Sequence, residues 1–519
     1  MSPISIEHGG HLLERAHWAA SAFAEYDHAT VARIVDAVAE AGHEAAERFA
    51  IAAVSETGMG VVADKVVKNR ACSRGIVEYY RADDAGGDYV TPRIDAGRKI
   101  VEIPRPAGVV LALTPTTNPV ATVYFKTILA LMTRNAVVVA PHPRAKRCSA
   151  EAARLLGEAA VAAGAPDGIV QVIDEPSIPL VEALMADERT DVIVATGGPG
   201  VVRAAYSSGN PALGVGPGNV PVLVDATADV AAAARRIVDS KAFDNSVLCT
   251  NESVLIAEEA IADRLRGELT RAGAYVMDAD TARRLSTYMF ADGHLNTEVV
   301  GRDAAWIAER AGLRVTPKTR LLVAPFDFVC GEQMLAHEKL SPVLGFTTVA
   351  DAARGIRAAR AVVRIGGAGH SAAIHSENPV TIADFAAQVP VLRVSVNVGN
   401  STGSSGLDTN LAPSMTIGTG FVGRSSIGEN LRPDNLVNWA RIAYNSDPAV
   451  VMPNYAGIEP WRAPAAQVPE YPRASNESGP ARPAVRTAAP VRAAGPGIDA
   501  LRDELRRLVA EELAQLIKR

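Results

Sequence analysis

Cysteine is scarce in this chain. Four are spread over 519 residues, Cys72, Cys148, Cys249 and Cys330, without metal-ligand spacing, which excludes a disulfide framework and a cysteine-built zinc site as organising features. Long apolar runs are missing too, so no segment is expected to span a bilayer. The start, Met1 to His8, lacks the charged and then apolar order of a secretory signal, and the expectation is a cytoplasmic protein. Neither sign of charge dominates. The formal net charge is −6, aromatics make up 5 %, and no basic cluster is interleaved with them, which leaves nucleic-acid binding without a footing.

What is present is apolar sequence in ordered alternation. A chain of 519 residues exceeds what one core serves, so two or more domains are expected. From Ala29 to Ser55, apolar residues such as Val31, Ile34, Val35 and Val38 recur at helical spacing, which predicts one long amphipathic helix. Strands are predicted at 108–113, 136–140, 169–173 and 192–195, with helices at 122–132, 150–163 and 179–187 between them. Repeated βαβ units of this length imply a parallel sheet covered by helices on both faces. A second alternating block runs from Asp225 to about Gly420.

Few segments carry chemistry, and each has an ordinary reading beside the functional one. Cys249, in the run Ala242 to Ser253, is either a soft core filler or a nucleophile. Thr196-Gly197-Gly198-Pro199-Gly200 follows a predicted strand and opens a predicted helix from Val201 to Tyr206. Glycines there let the backbone approach a phosphate while the helix N-terminus offers free N–H donors, but any tight turn would use the same string. Gly214-Val215-Gly216-Pro217-Gly218 carries the same ambiguity. Asn118 follows the strand at 108–113, where active-site loops of α/β folds gather and where turn asparagines are also common.

Taken in order, these segments resemble a family. Glu56-Thr-Gly-Met-Gly60 with Asp64-Lys65, Thr114 to Pro119, Pro141 to Lys146, Ala195 to Gly200, Phe243 to Cys249, Ala336 to Pro342, Gly367 to His370 and Pro413 to Gly420 leading to Gly428-Glu-Asn430 are similar to landmarks of the aldehyde dehydrogenase superfamily. Within it, the chain resembles the CoA-acylating members, including the aldehyde half of bifunctional alcohol/aldehyde dehydrogenases and the propionaldehyde dehydrogenases of bacterial microcompartments. The resemblance runs from about Ala16 to Tyr444.

The resemblance implies an α/β fold with a Rossmann-type cofactor domain (1–225, including an oligomerisation hairpin near 88–104), an α/β catalytic domain (226–420) and a C-terminal oligomerisation arm (421–452). It makes Cys249 the nucleophile, and Asn118 with the Cys249 backbone N–H the oxyanion hole. Cofactor contacts fall to Pro141, His142, Thr196, Gly197, Gly198, Gly200, Gly216 and Gly218, with Glu338 on the nicotinamide ribose. NAD is the expected cofactor, with NADP left open because Ala140 stands where the hydrolytic branch carries its cofactor lysine. No metal is expected.

One position is informative by what it lacks. Val215 stands where hydrolytic relatives place the glutamate that activates water, so coenzyme A is the expected acyl acceptor and a short aldehyde the substrate. A hydrolytic dehydrogenase, and a scaffold or cargo adaptor, are the alternatives. His337 and His370 are candidates for orienting cofactor or assisting thiol transfer, and equally for loop hydrogen bonding; Cys72, Cys148 and Cys330 read as packing residues. Dimers or tetramers are implied.

The end of the chain changes character. From Pro453 to Gly497, prolines recur among Ala, Arg, Ser and Gly, which predicts a tether. From 498 to 519, Ile498, Leu501, Leu505, Leu508, Val509, Leu513, Leu516 and Ile517 share one face of a predicted helix. Its charges balance, five acidic against five basic, so docking to a partner is expected rather than binding to a membrane. The arrangement resembles an encapsulation peptide, implying a shell-protein partner and residence in a microcompartment lumen.

Overall fold

The computed structural model describes residues 3–82, 88–464 and 471. Two parallel sheets organise them. The first has five strands in the spatial order Val170–Val172, Ala136–Pro141, Val109–Thr114, Val192–Thr196 and Ala212–Val215. In chain order this is 3-2-1-4-5, so the sheet reverses direction between Val109–Thr114 and Val192–Thr196, and ligands of doubly wound folds gather in the crevice at that point. Its central strands are buried at every position because helices cover both faces. Helix Pro119–Met132 is buried throughout, and Lys126 on it donates to the carbonyls of Leu113 (2.6 Å) and Val194 (2.7 Å), tying the helix to the two strands that flank the crevice.

The second sheet has seven parallel strands in the order Ala274–Val276, Leu321–Pro325, Val343–Val349, Glu252–Glu258, Val220–Val224, Ala372–His375 and Val394–Val396. The expected domain boundary at 225 is therefore too late. Val220–Val224 pairs with Glu252–Glu258 and Ala372–His375, so the chain has already crossed to the second sheet. The expected end at 420 is corrected as well: Met415, Ile427, Leu431 and Leu436 pack in the hydrophobic core of the first sheet.

The strand and helix alternation at 108–207 is found within a few residues of its expected limits. The long helix at 29–55 is instead two, His28–Glu44 and Ala46–Thr57, joined at Ala45 with φ −84° and ψ 3°. Apolar spacing continues across the joint, so periodicity does not reveal the break.

A three-stranded antiparallel sheet stands apart from these layers. Arg93–Asp95 and Ile100–Pro106 form the expected hairpin, and Val437–Ala443 pairs along the whole of Ile100–Pro106. The tether starts later than Pro453. Trp461 donates from its indole to Val90 O (3.0 Å) and lies under the Arg134 guanidinium (4.3 Å), while Arg462 N–H reaches Glu25 O (3.1 Å). Trp461, together with Tyr455 OH bonding Tyr444 OH (2.7 Å) and Glu459 accepting His28 N–H (3.0 Å), holds 453–464 to the body despite its prolines. The predicted helix at 498–519 and the rest of the tether lie outside the described residues.

Candidate active site

Helix Val230–Ala242 ends two residues before an unusual stretch of backbone. Asp244, Asn245 and Ser246 take φ of 48°, 49° and 68°, three consecutive left-handed residues without a glycine. Each costs roughly 1 kcal/mol, so the surroundings must hold them. They do. The Asp244 carboxylate accepts Val61 N–H (2.7 Å), Lys65 Nζ (3.0 Å) and Lys68 Nζ, and its own N–H donates to Asp64 Oδ2 (2.7 Å). Asn245 Nδ2 donates to Gly301 O (3.0 Å), and Ser246 Oγ to Asn251 Oδ1. The strained segment delivers Cys249 in a tight turn, closed by Asn251 N–H to Leu248 O (3.1 Å), just before Glu252–Glu258.

Cys249 is half-buried. Burial pushes its thiol up to about 12, and the Glu338 carboxylate adds to this, while Arg393 and the N–H groups of Cys249 and Thr250 pull the other way. Burial thus holds the resting thiol in its protonated form at neutral pH. Asn118, at the N-terminus of the buried helix, donates from Nδ2 to Val247 O (3.2 Å), which places its amide beside the turn carrying Cys249. Its Oδ1 accepts from Lys68 Nζ.

Gly218 passes directly over the Cys249 carbonyl. A Cβ there would lie 1.9 Å from Cys249 O and 3.5 Å from His370 Cε1. The Gly218 N–H donates to Glu338, whose carboxyl burial lifts to about 8 against the opposing pull of Lys241 and Lys339. His370 is fully buried, shares Nδ1 with Ser371 Oγ (3.0 Å) and has no partner at Nε2 among the described residues. Burial, with Arg393 nearby, pushes it down to about 3, so it is neutral. Val215 ends its strand buried, 3 % exposed.

The first glycine turn is built differently. Gly198 caps helix Pro199–Ser207, and a Cβ at Gly198 or Gly200 would meet nothing within 4 Å. Open space beside free helix N–H groups is what a phosphate-bearing cofactor requires, so these residues fit one. Thr196 ends the strand before it and hydrogen-bonds Thr416 (Oγ1 to Oγ1, 3.0 Å); Gly216 is in ordinary contact with Thr419.

The structure thus brings Cys249, Asn118, Gly218, Glu338 and His370 together. His142 and His337 take local roles: His142 Nδ1 accepts Arg144 N–H (3.1 Å) in the turn after Pro141, and His337 Nε2 bonds Gly331 O (2.8 Å). Cys72 and Cys148 are buried, with burial holding both thiols near 12, and Cys330 is half-buried. Sequence reading missed Lys68, Asp244 and Arg393. Only Arg393, a charge between apolar neighbours in Val391-Leu392-Arg393-Val394, carries a local signal.

Comparison with known proteins places the chain in a family. The model of the aldehyde dehydrogenase family matches residues 7–284. The bifunctional aldehyde-alcohol dehydrogenase AdhE of Escherichia coli K12 is 37 % identical over 84 % of this chain and 49 % of its own, so the chain spans about half the length of the bifunctional relatives it matches. The succinate-semialdehyde dehydrogenase (acetylating) of Clostridium kluyveri is 36 % identical over 86 % of this chain and 98 % of its own. Among solved structures, an acetylating aldehyde dehydrogenase from Geobacillus thermoglucosidasius superposes with a TM-score of 0.83 at 38 % identity, covering 85 % of this chain and 97 % of that one. The chain belongs to the aldehyde dehydrogenase family.

Proposed function

We propose that the chain oxidises an aldehyde to an acyl-CoA with NAD, through a thioester on Cys249. The observation that carries this reading is the buried Val215 where a water-activating carboxylate would stand, and the relatives named as acetylating support it.

The residues divide the work. Cys249 Sγ, as the thiolate formed when its proton leaves to solvent, attacks the aldehyde carbonyl, and the Asn118 amide and Cys249 N–H stabilise the oxyanion; one such donor contributes roughly 3 kcal/mol to the transition state. Thr196 to Gly200 would hold the pyrophosphate of the cofactor, and Glu338 would bond its ribose. When bound, the nicotinamide supplies the hydride acceptor and a positive charge. Val215 offers water no base, so the acyl group waits on Cys249 for a stronger nucleophile. His370, neutral and without a partner at Nε2 among the described residues, lies beside Gly218 and orients the incoming thiol; held at about 3 by burial it is too weak a base to take the thiol proton, so coenzyme A enters as its thiolate. Transfer of the acyl group then regenerates the Cys249 thiolate.

Two narrower readings accompany this one. The three-stranded sheet built on Ile100–Pro106 is the oligomerisation arm of a dimer or tetramer, and the segment at 498–519 recruits the enzyme to a microcompartment shell. NADH formation from a panel of short aldehydes, with and without CoA, tests the main reading. Turnover is expected to require CoA; equal steady turnover without it overturns the acylating reading. A reporter fused to 498–519 tests the last: recruitment to shells is expected, and uniform distribution in shell-forming cells overturns it.

A further inference from the structure

Helix Val62–Arg70 aims two lysines, three residues apart and therefore on one face, at the site. Both are buried, Lys65 at 3 % and Lys68 at 1 % exposure. Their partners differ. Lys65 Nζ bonds Asp244 Oδ2 (3.0 Å) and the backbone carbonyl of Thr117 (3.1 Å), whereas Lys68 Nζ bridges Asp244 Oδ2 and the side-chain carbonyl of Asn118.

The two ends of a carboxamide have nearly the same shape, so packing alone does not decide which end faces a substrate. An ammonium group has only donors and can face only the oxygen. Resting on the reading of Asn118 as an oxyanion donor, we propose that Lys68 is the positioning residue of the oxyanion hole: by holding Asn118 Oδ1 it commits Nδ2 to the Cys249 side and polarises that N–H.

Asp244 makes the arrangement common to both halves of the site. The same carboxylate that holds the Lys68 ammonium also holds the left-handed backbone leading to Cys249. Donor and nucleophile are thus registered against one buried group, and a charge-assisted bond to Oδ1 strengthens the donation from Nδ2 through the conjugated amide.

A double-mutant cycle on Cys249 acylation by p-nitrophenyl acetate tests this, since that reaction uses the oxyanion hole without cofactor, CoA or aldehyde. In the wild-type background Lys68→Met is expected to slow the burst of p-nitrophenolate by about 10- to 100-fold, approaching the loss of one oxyanion donor. In the Asn118→Ala background it is expected to change the burst by less than about threefold, because two residues acting as a unit are not additive. Equal losses in both backgrounds overturn the proposal and leave the acylating reading standing. Absence of any Cys249-dependent burst in the wild type overturns the nucleophile assignment, and the proposal with it. Lys68→Met leaves the Asp244 carboxylate paired with Lys65, and the cycle is repeated with Lys68→Leu, a second side chain that offers Asn118 Oδ1 no donor. The same background dependence is expected there, and additive losses again overturn the proposal.

Discussion

The two glycine turns look alike in sequence and differ in what their glycines meet. At Gly198 and Gly200 an added Cβ would enter open space, whereas at Gly218 it would lie 1.9 Å from the carbonyl of the nucleophile. The first turn leaves room for a ligand. The second is used up by the protein itself, since Gly218 lets one backbone cross another at Cys249 and gives its N–H to Glu338. Glycine in one turn is therefore a matter of binding, and in the other a matter of where the thiol stands.

Substitutions should separate the two turns. Gly218→Ala must push the Cys249 turn aside, and a displacement on that scale is expected to cost at least about a hundredfold in acylation rate; an undiminished p-nitrophenyl acetate burst would remove the distinction between the turns. Val215→Glu, within the same turn, returns a carboxylate beside the thioester. Water-dependent decay of the acyl-enzyme is expected to rise about tenfold or more, with a lower melting temperature because a charge is buried.

Gly198→Ala should leave the melting temperature and the cofactor-independent burst unchanged while raising the KM for NAD about five- to tenfold, as a methyl group enters the space for phosphate. The smallest effect concerns Glu338. Its carboxyl titrates near 8, so below that pH Glu338→Gln should change little. Above it, removing the negative charge lowers the thiol pKa and raises the thiolate fraction, and Cys249 alkylation by iodoacetamide should quicken about two- to fivefold. Slower alkylation above pH 8 would contradict the sign.

The sequence is most legible where a residue acts through its own type and immediate neighbours. Strands such as Val109–Thr114 and Ala136–Pro141 announce themselves as unbroken apolar runs, and the structure places Asn118 and Cys249 together. Long-range pairing is what periodicity does not encode. Val220–Val224 reads like a last strand of the first block and joins the second sheet, and Val437–Ala443 closes on a hairpin more than three hundred residues earlier. The break at Ala45 is hidden because the apolar stripe continues through it.

The candidate site shows the same limit. Lys68 and Asp244 lie 176 residues apart in sequence, and each alone reads as a surface charge on a helix or a turn. Only the fold reveals that they neutralise one another beneath Asn118. Val215, by contrast, carries its meaning as a missing functional group at a fixed place in a motif, and the structure shows it buried at the end of its strand.

The claim that ties these parts together is that the acyl group on Cys249 waits for a thiol. Intact-protein mass spectrometry after a single turnover with aldehyde and NAD measures this directly. An acyl adduct on Cys249 is expected to persist in buffer and to vanish on addition of CoA, with one equivalent of acyl-CoA formed. Decay at the same rate with and without CoA, releasing free acid, would contradict the account.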